Sequence, residues 1–504
     1  MSFLKSLFSA IGGKEKIRTR FAPSPTGPFH VGSVRTALFN FLFAKKFNGE
    51  FILRIEDTDL KRSQPEYEKG IVEGLKWLNI HWNEGPYRQS ERLDIYAKYL
   101  KELLDNGDAF YCFHSKEFLE KEAGLAHHCE FKKLPIEDLE KRLKKENAVI
   151  RFKTPPDLEI AFIDLIRGEI RFNSDTLGGD FSLAKVESPD KFLPLYNFAV
   201  VIDDFEMNIT HVIRGEDHIS NTPRQIFIQQ ALKIPMPKYA HLPLILGSDR
   251  SKLSKRHNAV SVDEYREMGY LPEALVNFIA FLGWNPGTDK EIFSLEKLIR
   301  EFDLNKVQKS GAIFNIEKLD WLNGYYLRQL SLNELAKRTI PFLIRDGLIS
   351  DDFSAQGGPA VRLSSPSKSS GWEYLKKILT LEQPRLKKLG EIGERVSYFF
   401  KIPEYEPKLL VWRDMLFKDV SASLKASFFA ISQISDVDFN QKNLEKILLK
   451  EAERAKNKDR GRLLWPLRVA LTGLEASPGP FEILEILGKK ESIKRVEAAI
   501  KKLA

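Results

Sequence analysis

Two segments of the chain carry residue types suited to binding phosphate. The first holds His30, Gly32 and Ser33 directly after the Pro/Ser/Gly loop of residues 23–28. Glycine lets a phosphate approach the backbone, a helix start offers unpaired N–H groups, and an imidazole can donate to a phosphate oxygen. The segment therefore predicts a phosphate site, and a Gly/Pro turn with a half-exposed histidine is the alternative.

The second segment is Ser251–His257, which includes Lys252, Ser254 and Lys255. Several cations with small hydroxyls on one loop could clamp the phosphates of ATP, where transition-state charge must be stabilised electrostatically. Taken alone, the same residues also fit a solvated basic loop.

A third cluster combines Cys112 and His114 with His127 and Cys129. Thiolates and imidazoles at these short spacings suit tetrahedral zinc in a structural site. Buried free thiols and surface histidines are the alternative. The chain has only 2 cysteines, which excludes a disulfide framework and favours a reducing cytoplasm.

The elements around the first segment form a βαβ pattern. Residues 17–21 alternate as a strand, an apolar face recurs from Val34 to Leu42 at helical spacing with a stop at Asn48-Gly49, and Phe51–Ile55 is a second strand. Ligands of such a unit bind beyond the carboxyl ends of its parallel strands. A nucleotide-binding α/β half is predicted.

A second half of similar character precedes the basic loop. It consists of apolar segments at residues 195–202 and 209–214, a helix at about 222–234 and a strand at His241–Leu246. Beyond Glu273 the periodicity is mostly helical. Residues 354–371 are poor in apolar side chains and predict a mobile linker.

Composition limits the class of protein. The chain has 504 residues, 43% hydrophobic and 29% charged, which predicts several globular domains. No apolar run approaches the roughly 20 residues that span a bilayer. Of the net charge of +8, +6 lies in residues 441–504, with 15 Lys/Arg against 9 Asp/Glu. A basic terminal module attracts polyanions.

Together, His30-Val31-Gly32-Ser33 and Lys252-Leu253-Ser254-Lys255-Arg256 resemble the HIGH and KMSKS motifs of class I aminoacyl-tRNA synthetases. Five further blocks narrow the resemblance to bacterial-type glutamyl-tRNA synthetases and extend from near residue 17 almost to the C-terminus. These blocks are residues 20–27 (RFAPSPTG), 54–59 (RIEDTD), 84–92 (EGPYRQSER), 210–218 (THVIRGEDH) and 466–473 (PLRVALTG).

The resemblance implies a catalytic apparatus for joining glutamate to tRNA with ATP and Mg²⁺. Glutamate has two carboxylates and one ammonium, so its pocket needs two cationic sites and one acceptor. By the family pattern, Arg20 and Tyr196 meet the side-chain carboxylate, Arg214 the α-carboxylate and Glu56 the ammonium. The remaining implied residues are Ala22 and Ser24 in the pocket floor, and His30, Gly32, Ser33, Asp217, His218, Lys252, Ser254 and Lys255 around ATP.

The resemblance also implies the fold and its domains. It predicts a Rossmann-type catalytic domain with an α+β insertion, followed by all-α stem-contact and anticodon-binding domains. The expected boundaries are a flexible extension at 1–16, the first Rossmann half at 17–106, the acceptor-binding insertion at 107–190, the second half at 191–250, the KMSKS loop and stem-contact domain at 251–325 and the anticodon-binding domain at 326–504.

The expected partners are L-glutamate, ATP and the acceptor stem and anticodon of tRNA(Glu), with the protein a cytoplasmic monomer. Many family members carry zinc in the insertion through a Cys-x-Cys pair, from which this chain departs at His114 and in a shorter spacer. For the extension at residues 1–16, an organelle-targeting sequence is the weaker alternative.

Three alternatives are weighed against this interpretation. Glutaminyl-tRNA synthetases share the catalytic fold but have Pro-Glu-Pro-Asn-Gly where this chain has residues 23–27, and their C-terminal part is β-structure. A truncated paralogue that modifies a tRNA base lacks the C-terminal module. A non-catalytic RNA-binding descendant would not need His30, Lys252 and Lys255. The sequence leaves open whether tRNA(Gln) is also a substrate.

Overall fold

The computed structural model describes residues 16–59, 61–115, 118, 127, 129–188, 191–253, 260–351, 353, 371–454 and 459–503. It divides into two compact units, one of residues 1–266 with 272–319 and one of residues 267–271 with 320–504. The predictions for residues 1–15, for Ser254 and Lys255, and for a linker at 354–370 lie outside the described residues.

The first sheet of the first unit is parallel and has the order β1-β2-β3. Its strands are β1 (Arg18–Phe21), β2 (Glu50–Ile55) and β3 (Glu84–Arg88). The helix Val31–Lys46 connects β1 to β2, and Asn48 turns the chain with a φ of 53°. The predicted strand, helix and strand are confirmed. Both strands are buried at nearly every position, as is typical of a parallel sheet with both faces covered.

The second sheet has the order β10-β11-β6-β7 and brings distant segments together. The strands are β6 (Glu159–Asp164), β7 (Gly168–Asn173), β10 (His211–Gly215) and β11 (Lys238–Leu242). β10 and β11 are parallel, and the helix Thr222–Ala231 connects them. β6 joins β11 where Tyr239 is paired with Asp164.

One predicted detail of the second half differs from the structure, and an apolar segment whose secondary structure was left open is helical. Residues 196–206 form a helix. The strand predicted at His241–Leu246 ends at Leu242 and is followed by the short β12 (Ile245–Leu246), which pairs with β13 (Ala312–Ile313). Pro243 explains the interruption, because proline has no N–H to donate to a neighbouring strand.

The segment predicted as one insertion contributes to two sheets. Three of its strands, β4 (Ala109–Cys112), β5 (Ala148–Phe152) and β8 (Ser182–Ser188), form an antiparallel sheet of order β4-β5-β8-β9 with β9 (Lys191–Pro194), which directly follows the predicted boundary. The hairpin β6–β7, in contrast, extends the β10-β11 sheet of the second catalytic half. The predicted domain boundaries remain predictions.

Helices surround these sheets and dominate the second unit. The other helices in or entering the first unit are Pro65–Trp77, Leu93–Asp105, Ile136–Leu143, Val262–Glu267, Pro272–Ala280, Leu295–Glu301 and Ile316–Gln329. Those of the second unit are Leu332–Arg345, Gly371–Glu382, Ile392–Phe400, Phe417–Ser432, Gln441–Ala452, Gly461–Thr472 and Pro480–Lys502. The predicted class, an α/β catalytic domain with an α+β insertion followed by helical domains, is confirmed.

One apolar core links the two catalytic halves. Ile52 of β2, Phe198 and Ile226 of two helices and Val212 of β10 belong to one buried cluster. Because both halves pack on the same core, the ends of β1, β2 and β10 hold fixed positions relative to each other. Among the described residues, no helix is both long and apolar enough to cross a membrane.

Candidate active site

A cavity of about 630 Å³ opens where the strands of the two halves end. Its walls come from β1, β10, Glu56 directly after β2, the start of the helix Val31–Lys46 and the segments on both sides of residues 254–259. Twelve residues predicted for the site line it, namely Arg20, Ala22, Ser24, His30, Gly32, Ser33, Glu56, Tyr196, Arg214, Asp217, His218 and Lys252.

His30 caps the helix that starts at Val31. Its Nδ1 accepts from the backbone N–H of Ser33 at 3.4 Å, and its ring stays open to the cavity. A Cβ on Gly32 would lie 3.2 Å from the His30 ring, so glycine leaves room for this conformation. Desolvation, and then the Lys252 ammonium, lower the pKa of His30 below 6.5. A neutral imidazole beside a helix N-terminus suits phosphate contact.

Arg20 is held by a buried network of charges on one side of the cavity. Its Nε donates to Asp204 Oδ1 at 3.0 Å, and Arg54 donates to the same oxygen at 2.7 Å. Arg54 also donates to Glu56 Oε1 at 3.2 Å. Arg20, Arg54 and Glu56 are 3%, 0% and 7% exposed, so each side chain is fixed by partners that solvent does not screen.

The pKa values of the two carboxylates in this network, Glu56 and Asp204, are shifted in opposite directions. Burial raises the pKa of Glu56 above its usual range, although Arg54 and Arg20 oppose the shift. Burial would also raise the pKa of Asp204, but Arg20 and Arg54 outweigh it and lower that pKa. Asp204 is therefore the fixed counter-ion of the two arginines, and Glu56 the acceptor nearest the cavity.

Arg214 lines the same cavity and has only neutral hydrogen-bond partners among the described residues. It donates to His241 Nε2 at 3.1 Å, to Thr222 Oγ1 at 2.8 Å and to the Tyr196 hydroxyl at 3.5 Å. It is 5% exposed. A buried guanidinium without a direct carboxylate partner keeps its charge available for an anion.

Asp217 and His218, the two residues predicted to lie near the ribose and base of ATP, line the cavity. Both lie in the short helical turn Glu216–Asn221 after β10. Tyr196 hydroxyl lies 3.0 Å from His218 Nδ1. Burial, followed by the Arg214 charge, lowers the pKa of His218 to about 4. The ring is therefore neutral near pH 7, so that one of its nitrogens can donate a hydrogen bond and the other can accept one.

The Cys/His cluster forms a separate site in the insertion. Ligand atoms of Cys112, His114, His127 and Cys129 all lie within 4.8 Å of one another. Cys112 Sγ is 3.4 Å from His114 Nδ1 and 3.7 Å from His127 Nε2. Two sulfur and two nitrogen donors converging in a largely buried position fit a tetrahedral structural zinc.

Four buried residues that support the site were not identified from the sequence. They are Arg54, Asp204, Asp164 and His241. Asp204 offered one signal, since it and Asp203 interrupt an otherwise apolar run from Phe198 to Phe205. Asp164 offered none, because it was assigned to the insertion and reaches the site only through the pairing of β6 with β11.

The comparisons with known proteins agree with this architecture. Residues 16–321 match the family described as tRNA synthetases class I (E and Q), catalytic domain, and residues 334–500 match an anticodon binding domain. Fold, cavity and family match together define a class I aminoacyl-tRNA synthetase.

Full-length relatives narrow the class. The chain is 42% identical to glutamate–tRNA ligase 1 of Caldanaerobacter subterraneus subsp. tengcongensis, with 96% of this chain and 98% of the relative covered. It is 44% identical to glutamate–tRNA ligase of Aquifex aeolicus, with 97% and 100% covered. A crystal structure of a glutamate tRNA ligase from Elizabethkingia meningosepticum in complex with its amino acid aligns with a TM-score of 0.82 at 36% identity, covering 97% of this chain and 100% of that one. The chain belongs to the glutamate–tRNA ligase family.

Proposed function

We propose that the cavity activates L-glutamate with magnesium–ATP and that the enzyme then esterifies the 3′-terminal adenosine of tRNA(Glu). The observation that carries this proposal is the charge arrangement around one cavity. Two buried guanidiniums, from Arg20 and Arg214, and one buried carboxylate, from Glu56, converge beside the His30 helix start. This is the complement of a molecule with two carboxylates and one ammonium.

The residue roles follow the family pattern. Arg20 and Tyr196 bind the side-chain carboxylate, Arg214 binds the α-carboxylate and Glu56 binds the ammonium, while Ala22 and Ser24 shape the floor. The network supports this assignment, because Asp204 holds Arg20 through Nε and leaves its other nitrogens for a ligand.

ATP binds on the side of His30, Gly32 and Ser33, with Asp217 and His218 near the ribose and base and Lys252, Ser254 and Lys255 on the phosphates. A carboxylate oxygen of glutamate attacks the α-phosphorus in line and expels pyrophosphate, giving glutamyl-adenylate. A ribose hydroxyl of the tRNA then attacks the acyl carbon, and AMP leaves. No side-chain nucleophile or general base is required, so catalysis rests on positioning and electrostatics.

Pyrophosphate exchange into ATP tests the activation step, and it is run with tRNA(Glu) present because many relatives need tRNA for activation. We expect exchange that depends on L-glutamate and is not supported by L-glutamine or L-aspartate. Lys255→Ala should reduce exchange while glutamate binding changes little. Exchange driven equally by glutamine would refute the glutamate assignment.

Charging assays with purified tRNA(Glu) and tRNA(Gln) test the second step. We expect glutamate on tRNA(Glu), and the tRNA(Gln) arm measures how strictly the helical second unit discriminates. Phosphate contacts from Lys and Arg should make KM for tRNA rise with salt. Light scattering of the free protein tests the proposed monomer, and cell fractionation tests the cytoplasmic location.

We also propose that Cys112, His114, His127 and Cys129 hold a structural Zn²⁺ that ties the end of β4 to residues 127–129. The arrangement of donors supports this even though His114 departs from the Cys-x-Cys pattern. Metal analysis of protein purified without a His tag should give about one zinc per chain. His114→Gln should lower the zinc content, whereas His81→Gln, at an exposed histidine, should not. Zinc-free wild-type protein would refute the proposal.

A further inference from the structure

Asp164, His241 and Arg214 form a hydrogen-bonded chain behind the cavity. Asp164 Oδ2 lies 2.7 Å from His241 Nδ1, and His241 Nε2 lies 3.1 Å from Arg214 Nε. Asp164 and His241 are 2% and 0% exposed, and neither lines the cavity. Of these three residues, only Arg214 lines the cavity.

The direction of these hydrogen bonds is fixed by chemistry. An arginine side chain can only donate, so His241 Nε2 must accept from Arg214. The imidazole proton therefore sits on Nδ1 and is donated to Asp164. Burial and the nearby Arg214 charge lower the pKa of His241, although Asp164 opposes the shift. A neutral ring in this single tautomer agrees with the geometry.

Asp164 is itself immobilised. Its Oδ1 accepts from the backbone N–H groups of Ile166 and Arg167 at 2.9 and 2.8 Å, and its Oδ2 also accepts from the backbone N–H of His241 at 3.0 Å. With four donors on two oxygens, the carboxylate cannot rotate without losing bonds. The pairing of β6 with β11 therefore fixes the position of Arg214 through Asp164 and His241.

The two cavity arginines are consequently held in different ways. Arg20 is paired directly with Asp204, whereas a neutral imidazole separates Arg214 from Asp164. This relay orients Arg214 but leaves its charge unpaired. An arginine whose charge is not already neutralised attracts a substrate carboxylate more strongly.

We propose that Asp164 and His241 are positioning residues that align Arg214 on the α-carboxylate of glutamate by fixing the imidazole tautomer. The proposal rests on the proposed function of Arg214. It predicts that the protonation pattern of the relay, rather than the bulk of its side chains, controls glutamate affinity.

Asp164→Asn tests the tautomer directly. An amide has one oxygen and one NH₂, so one side of residue 164 must become a donor. The NH₂ should face His241, where it opposes one backbone N–H and an imidazole that can change tautomer and accept, whereas the other orientation would oppose the backbone N–H groups of both Ile166 and Arg167. The His241 proton then moves to Nε2 and opposes the Arg214 Nε–H. A misaligned Arg214 should raise the glutamate KM by roughly 10- to 100-fold and leave the ATP KM nearly unchanged.

His241→Gln is the conservative comparison. Like the imidazole, a glutamine side chain has one accepting end for Arg214 and one donating end for Asp164, so it keeps the hydrogen-bond pattern of the wild-type relay. We expect a rise in glutamate KM of less than about 5-fold for His241→Gln. The double variant Asp164→Asn/His241→Gln should keep the roughly 10- to 100-fold rise of Asp164→Asn, because the glutamine cannot present its oxygen both to Arg214 and to an amide NH₂ at residue 164. His211→Gln is the matched control, because His211 is a buried histidine on β10 that does not line the cavity.

The experiment measures KM for glutamate and ATP in tRNA-dependent pyrophosphate exchange, with thermal unfolding recorded for each variant. A rise in glutamate KM for His241→Gln as large as that for Asp164→Asn would overturn the tautomer argument, as would loss of the Asp164→Asn effect in the double variant or equal rises in both KM values. If Asp164→Asn alone does not fold, a glutamate KM for His241→Leu within 3-fold of wild type would also overturn it, because leucine cannot accept from Arg214. Arg214→Ala distinguishes failure of the relay proposal from failure of the proposed function. An unchanged glutamate KM in that variant would remove the proposed role of Arg214 itself.

Discussion

Replacing Glu56 with Gln tests the charge complementarity of the cavity most directly. Glu56 and Asp204 are the two carboxylates that share Arg20 and Arg54. Asp203, the other acid near Arg54, is paired with Arg92 at 2.8 Å. Two guanidiniums therefore face two carboxylates, and Glu56→Gln leaves one cation in excess next to the proposed ammonium site.

The size of the effect follows from burial. Glu56 is 7% exposed, so water does not replace its carboxylate in binding the ammonium. A hydrogen bond to a charged group contributes about 1.5–3 kcal/mol, which corresponds to a rise in glutamate KM of about 10- to 150-fold. The glutamine isostere keeps the volume, so the free energy of unfolding should change less than with Ala.

Glutarate makes the assay selective, because it has both carboxylates of glutamate and no ammonium. In tRNA-dependent pyrophosphate exchange, Glu56→Gln should weaken the binding of glutamate and so raise its KM. The inhibition constant of glutarate should stay unchanged or fall. Glu84→Gln is the matched control, since Glu84 pairs with Arg18 on the same sheet and does not line the cavity. Equal weakening of glutamate and glutarate would refute the assignment of Glu56 to the ammonium.

Three further perturbations test other parts of the structure. Lys252→Ala should reduce the exchange rate by about 100-fold with the equilibrium affinity for glutamate within 3-fold, and a selective loss of glutamate affinity would contradict a phosphate role. Burial, and then Lys238, lower the pKa of His211 to about 4 from 6.5; the unfolded state therefore binds the proton first, and the free energy of unfolding should fall by up to about 3 kcal/mol between pH 6.5 and 4. His211→Gln should flatten that acid limb in denaturant titrations, and an unaltered pH dependence would refute the assignment. Gly179→Ala should lower zinc content, because its Cβ would lie 2.5 Å from the His127 carbonyl oxygen, whereas Gly178→Ala has a similar φ and open space; equal zinc in both would refute the link.

Local chemistry explains which parts of the fold were predictable. The strand at residues 17–21 and the helix after His30 have strong apolar periods, and both were predicted within a few residues. The strand expected at His241–Leu246 was misplaced because Pro243 stops pairing, which apolar periodicity does not register. The hairpin of β6 and β7 was predicted in the insertion because nothing local indicates which sheet an alternating strand will join.

The sequence by itself indicated the class of site, because the segments of His30 and Lys252 resemble the HIGH and KMSKS motifs and the arginine and glutamate positions match the pattern of the family that carries them. Only the tertiary structure decided how the two cavity arginines are held. Asp204 and Asp164 are 184 and 50 residues from Arg20 and Arg214, and their contacts arise from strand pairing and core packing. Hydrogen-bond geometry depends on distances of a few ångströms between such segments, and a linear pattern does not encode those distances.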